Sequence, residues 1–285
     1  KLQSVAQSLD STLSSYVKSF PSFEDLHPFQ NELFDLLLDL DKLKKSLGAL
    51  DWARKKIKEI CGEKLRVMRR SFDLNVIDDE REEAYGRVAS VMKQVKKDLN
   101  FLIWSREKIR KLPTIFPESP TVVIAGYPNV GKSMLVTKLS SAKPEVAPYP
   151  FTTKGMIVGH FTHKWRTYQV IDTPGLLDRP LDRRNQIELQ AILALSHPAD
   201  VMVFLVDPTG ECGATVEKQK DLLVQIRKDF PDSRIIEVQS KSDLIKGKGD
   251  LAVSALTGDG VEELRGLIIE KLKSVKKGAG PGIGY

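Results

Sequence analysis

GYPNVGKS, residues 126–133, is the stretch whose reading decides the fold. It fits the pattern G-x-x-x-x-G-K-[ST], a loop that cradles phosphates. TVVIAG (121–126) precedes it, a short apolar run of the kind a buried parallel strand needs. A helical stretch at about 131–141 follows. Gly126 and Gly131 allow the backbone to wrap closely around an anion, and the successive N–H groups with the helix N-terminus point at it. Lys132 is expected at the β- and γ-phosphates, and Ser133 is expected to place its hydroxyl oxygen on Mg²⁺. Asn129, Val130 and Met134 complete the nucleotide-binding loop. A chance glycine turn is the alternative, and the strand before and helix after argue against it.

The motifs that follow lie in the order such a loop requires. VIDTPG (170–175) ends a strand at Asp172, expected to hold Mg²⁺ through water, and the Gly175 N–H is expected at the γ-phosphate. YPFTTKG (149–155) offers a threonine hydroxyl to Mg²⁺ while the γ-phosphate is bound, Thr153 rather than Thr152. By itself DTPG also reads as a strand-ending turn, and YPFTTKG as a polar loop before a strand. SKSD (240–243) follows the apolar run RIIEVQ and resembles the guanine-reading N-K-x-D. The Asp243 carboxylate can accept from guanine N1–H and N2–H₂ together, a pair that adenine lacks. The Lys241 stem would cover the base. SAL (Ser254, Ala255 and Leu256) would bring the Ala255 N–H to guanine O6. The order favours GTP/GDP with Mg²⁺ over ATP, and gives catalytic roles to Lys132, Thr153 and Gly175. Ser240 departs from the usual asparagine, which should weaken the bracing of the loop. Ten residues separate Asp243 from Ser254, including KGKGD, where a G domain normally has a helix. A reduced helix or residues absent from the chain would explain this, and the second is favoured.

Further strands are expected at 156–162, 167–172, 201–207, 234–239 and 251–254, with helices near 184–196, 214–229 and 260–275. This alternation predicts an α/β P-loop G domain, a mostly parallel wound sheet with helices on both faces. Two successive strands without a helix between them imply one antiparallel edge strand. Residues 1–117 read instead as an all-α helical bundle. Phe29, Leu33, Leu36, Leu37, Leu40, Leu43 and Leu47 recur at helical steps. A second stripe runs through 51–70, and a third helix is expected from Asp78 to Lys111, ended by Pro113 and Pro117. The division is therefore 1–117, a G domain over 118–277, and a flexible tail at 278–285.

The 285 residues are 41% hydrophobic and 29% charged, enough apolar material for a core in each part. No apolar run is long enough to cross a membrane. KLQSVAQSLD, which lacks an initiator Met, has no signal-peptide pattern. Cys61 and Cys212 make no disulfide framework, and the four histidines show no metal-ligand spacing. The net charge is +6, yet residues 42–70 hold eleven Lys/Arg against Asp51, Glu59 and Glu63, a local +8. Such a stretch suits phosphate contacts, and equally a solvated helix face.

SFEDLHPF, LPTIFP, GYPNVGKS, PYPFTTKG, DTPGLLDRPLDRRNQIELQAILAL and ECG (211–213) closely resemble the nucleolar GTP-binding protein family, NOG-type members of the Obg group. The resemblance covers both parts of the chain. It implies a GTPase that switches in assembly of the large ribosomal subunit. The partner would be the subunit precursor, with its RNA and proteins, met by the helical part. Off the ribosome the chain would be monomeric. The short C-terminus resembles archaeal members, which implies a cytoplasmic location; a eukaryotic member would be nucleolar. Leu176 stands where many GTPases carry a water-orienting Gln, so intrinsic hydrolysis is expected to be slow. Asn129 matches a P-loop Asn that in some relatives coordinates K⁺, and bracing of the loop is the alternative. Arg179, Arg183 and Arg184 could act on the transition state or face a partner. A nucleotide-stabilised placeholder with little hydrolysis is a second reading, and a P-loop ATPase or kinase a third.

Overall fold

The computed structural model describes residues 1–23, 26–112, 114–116, 118–148, 155–172, 174–175, 177–178, 199–245 and 251–273. These form two compact units, residues 1–26 with 37–110, and residues 27–36 with 111–285. The segment 27–36, expected in the first domain, thus groups with the second unit, and the first unit ends at 110 rather than 117. The expected tail at 278–285 and the helix near 184–196 lie outside the described residues.

The first unit is helical. It contains α1 (Leu2–Lys18), α3 (Leu40–Met68), α4 (Leu74–Gln94) and α5 (Lys96–Arg110); α2 (Pro28–Leu38) runs from the second unit's segment into it. At 1.5 Å per residue α3 is ~43 Å long, and α1, α4 and α5 all pack against it. Leu43, Leu50 and Ile57 recur every seven residues and are at most 1% exposed. Lys64 takes the next such position, and its buried ammonium pairs with Glu80 and Glu83 of α4. Two expected boundaries change. The stripe read across 29–47 breaks at Asp39, which has φ 55° and accepts from the Lys42 N–H at 3.1 Å as the N-cap of α3. The helix expected over 78–111 starts at Leu74 and breaks at Val95 into α4 and α5. Buried Val88, Val91, Val95 and Leu102 continue through that break at helical spacing, so periodicity could not reveal it.

The second unit is built on a six-stranded sheet. Its strands are β1 (Thr121–Ala125), β2 (Glu145–Ala147), β3 (Met156–His163), β4 (Arg166–Asp172), β5 (Ala199–Val206) and β6 (Arg234–Gln239). The order is β2-β3-β4-β1-β5-β6. β1 runs parallel to β4 and β5, and β5 to β6, while β3 is antiparallel to both β2 and β4. The expected antiparallel strand is present, but it is not the edge: the three-residue β2 covers it. The expected strand at 251–254 is reduced to one parallel bridge between Gln239 and Ala252, because the chain turns away at Ser254. Helices α6 (Lys132–Leu139), α7 (Val216–Asp229) and α8 (Val261–Leu272) complete the described unit. Every residue of β1 is buried, and Leu135, Val136, Leu139, Leu264 and Ile268 join its core. Strand order reverses at β1, the position where wound sheets open a crevice at their carboxyl ends.

Candidate functional site: a guanine nucleotide cleft

The loop leaving β1 enters α6 through two left-handed residues, Asn129 at φ 62° and Gly131 at φ 101°. At Gly126 (φ 136°) an added Cβ would sit 2.7 Å from the Leu205 carbonyl oxygen, so this turn against β5 admits no side chain. The Gly126 N–H donates to the Leu177 carbonyl at 3.2 Å, tying the loop to the chain just after DTPG. Lys132 is 7% exposed, and its Nζ donates to the carbonyls of Gly126 and Tyr127 at 2.8 and 2.7 Å. Ser133 Oγ donates to Asp172 Oδ2 at 2.6 Å. A hydroxyl and a buried carboxylate in contact are the hard oxygen donors that suit Mg²⁺. Gly175, at φ 86°, lines the same cleft of about 390 Å³ with Lys132, Ser133, Asp172 and Asp178. A buried ammonium, helical N–H groups and an oxygen pair on one wall can hold a polyphosphate and its cation. Thr152, Thr153, Leu176, Arg179, Arg183 and Arg184 lie outside the described residues.

A second cleft, of about 240 Å³, adjoins the first across Asn129, Gly131 and Met134. Val130, Leu205, Ser240, Lys241, Asp243, Ala255 and Leu256 also line it. Its apolar walls and one carboxylate suit a flat base with two adjacent donors. SKSD and SAL meet here because 251–253 lies beside the end of β6: the Gln239 N–H donates to Leu251 and the Val253 N–H to Gln239, at 3.0 and 2.8 Å. Ser254 is buried and does not line the cleft; its Oγ accepts from the Thr257 N–H at 3.1 Å and shapes the turn that presents Ala255. Ser240 reaches back to the Val206 carbonyl at the end of β5 (3.3 Å).

Sequence reasoning missed what braces the base loop. Lys241 Nζ pairs with Asp207 Oδ2 at 2.8 Å and Glu211 Oε2 at 2.9 Å. Asp207 is fully buried and also accepts from the Thr209 N–H and Oγ, and from the Cys212 N–H. Burial would raise the Asp207 carboxyl; hydrogen bonds from Lys241 and Thr209 outweigh it and hold the group below its ordinary value. Burial would likewise lower Lys241, and its bonds to Asp207 and Glu211 outweigh that and raise it. Buried Gln219 on α7 exchanges two bonds with the Asp207 backbone, 2.8 Å each way. The signal was a charged residue closing an apolar strand, FLVD (204–207), just before the ECG stretch.

The sheet order, the phosphate loop and the joined clefts define a P-loop G domain. Residues 1–115 match the family described as NOG1 N-terminal helical domain, and residues 121–241 the family described as 50S ribosome-binding GTPase. The uncharacterized protein MJ1408 of Methanocaldococcus jannaschii is 41% identical over 245 residues, which cover 86% of this chain and 68% of that protein. Nucleolar GTP-binding protein 1 of Drosophila melanogaster is 37% identical over 97% of this chain and 41% of its own length. A Plasmodium falciparum crystal structure described as nucleolar GTP-binding protein 1 is 35% identical, with a TM-score of 0.51, covering 57% of this chain and 90% of that one. The chain belongs to the nucleolar GTP-binding protein 1 (NOG1) family and is a GTP-binding protein. It spans about two fifths of the length of its Drosophila relative.

Proposed function

We propose that this protein is a slow GTPase that switches in assembly of the large ribosomal subunit. The observation that carries the nucleotide half is the joint placement of Lys132, Ser133, Asp172 and Gly175 on one cleft beside the base-reading residues. Ser133 and Asp172 would hold Mg²⁺, which supplies charge neutralisation at the β- and γ-phosphates when bound. Lys132 would bind the same oxygens, and the Gly175 N–H would orient the γ-phosphate. Thr153 would complete the cation's ligands, and Asn129 a neighbouring K⁺. Leu176 cannot hydrogen-bond the attacking water, which supports slow turnover without a partner and keeps the placeholder reading in play. Single-turnover GTP hydrolysis with and without subunit precursors tests both: stimulation supports the switch, and equal negligible rates support the placeholder. The location follows the lineage, cytoplasmic in an archaeon and nucleolar in a eukaryote.

The proposed partner is the subunit precursor, met by a chain that is monomeric away from it. The basic stretch of α3 supports the RNA part of this reading. Arg54 and Lys55 are paired with Asp10 and Asp51. Lys58, Arg66 and Arg69 make no ion pair among the described residues and line a groove with Gln3 and Gln7 of α1. Charge reversal at these three should weaken precursor binding and flatten its salt dependence. Unchanged binding would remove this face from the interface.

A further inference from the structure

We infer that the β3–β4 hairpin carries a stacking tip for an unpaired base of single-stranded RNA, with Trp165 as the platform. Trp165 is 97% exposed. It sits with Lys164 in a two-residue turn, both left-handed, at φ 66° and 47°. Such a turn favours Asn-Gly; Lys-Trp there serves neither the turn nor the core. His163 and Arg166 close the hairpin opposite each other. They share a face with the Phe161–Tyr168 pair, whose rings are buried, stack at 5.0 Å and anchor the hairpin in the core, and the Arg166 guanidinium lies over Tyr168 at 5.9 Å. From Met156 to Ile171 the hairpin has no Asp or Glu, and Lys164 and Arg166 place two cations beside Trp165, with His163 next to them. An exposed indole flanked in sequence by Lys164 and Arg166, on a hairpin whose own residues include no acid, fits a base with its phosphates, which is how single strands are held without sequence reading. The RNA source rests on the proposed role in subunit assembly; the stacking chemistry does not.

The full chain carrying Trp52→Phe and Trp104→Phe keeps Trp165 as its sole tryptophan. Titration with a single-stranded adenosine oligonucleotide should quench its fluorescence, and a duplex of equal length should do so less. Asparagine tolerates left-handed backbone, so Trp165→Asn keeps the turn while removing the platform. It should bind the single strand about tenfold more weakly, whereas Trp165→Phe should retain most of the affinity. Lys164→Gln should reduce the salt slope by about one. Unquenched fluorescence, or equal affinity of Trp165→Asn and the unaltered chain, would overturn the inference, as would quenching by precursor proteins instead of RNA. Cosedimentation of the unaltered chain with subunit precursors separates the two claims. If it cosediments while Trp165 stays silent, the assembly role stands and the stacking tip falls. If RNA quenches Trp165 without cosedimentation, the tip stands and the assembly role falls.

Discussion

The two ends of the nucleotide cleft are built on different physics. At the phosphate end the groups belong to one short loop and the strand beside it, and they are positioned by backbone geometry. Lys132 bonds carbonyls five and six residues before it, and left-handed Asn129 and Gly131 turn the loop into α6. At the base end the loop departs from the usual asparagine, and support comes from 34 and 30 residues away in the chain, through Asp207 and Glu211 to Lys241. The phosphate end is therefore locally encoded, and the base end depends on a buried tertiary ion pair. Substitutions confined to one end or the other should separate the two.

The largest effect is expected at the phosphate end. Lys132→Ala removes a charge that should make two hydrogen bonds to phosphate at about 2 kcal/mol each, so GTP affinity should fall roughly a thousandfold. Isothermal titration with GTP checks this. A loss no greater than that at the base end would mean that the phosphates do not dominate binding. Next comes Asp243→Asn, which replaces a two-acceptor carboxylate with an amide. Affinity for GTP should drop about a hundredfold, while xanthosine triphosphate, whose ring carries an acceptor at the altered position, should gain. Competition between the two nucleotides reads out the exchange, and unchanged preference would take Asp243 away from base reading.

The same contrast explains what was legible from the residues alone. The P-loop, DTPG and five of the six sheet strands were readable because each rests on a local signal: glycine spacing, an aspartate ending a strand, or an apolar run. The residue positions of the base cleft were readable too, since SKSD and SAL are short motifs in a fixed order. The brace was not, because a buried aspartate announces nothing until the strand ends are brought together. Buried Lys64 was hidden for the same reason: its acids lie on another helix. The α4–α5 break escaped because Val91, Val95 and Leu99 keep helical spacing through it. β2 escaped because a three-residue strand is shorter than any periodicity.

Asp207→Asn tests the brace itself. It removes the buried carboxylate while Glu211 stays on the half-buried Lys241 ammonium, so stability should fall by less than the ~3 kcal/mol of a fully broken buried pair. GTP affinity should fall by a smaller factor than at Asp243, about tenfold. The pH dependence gives a second readout. The Asp207 carboxyl is held below its ordinary value in the folded chain. Its stabilisation is thus fully present above the unfolded carboxyl value of about 4, and is lost as pH falls through the folded value. Thermal melts across the acid range should show a shallower acid limb in Asp207→Asn. A limb parallel to that of the unaltered chain would mean that the pair contributes no pH-linked stability, and the base end would then rest on packing alone.

The smallest expected effect lies where the two clefts meet, at Asn129. Its φ of 62° gives it a backbone reason to be there, since asparagine tolerates left-handed geometry. The proposed second use of its amide is as a K⁺ ligand beside the phosphates, where a cation would offset developing charge. Asn129→Gly separates the two, because glycine keeps the turn and discards the amide. If the amide ligates K⁺, turnover should be about threefold faster in K⁺ than in Na⁺, a difference worth well under 1.4 kcal/mol, and Asn129→Gly should abolish that preference. If the backbone turn is the whole role, the two salts should give equal rates and Asn129→Gly should behave as the unaltered chain, with Asn129→Ala slower because alanine strains the turn. Loss of turnover in Asn129→Gly together with normal GTP affinity would assign the amide to the chemical step, and would make this shared wall the point where base binding and hydrolysis are coupled.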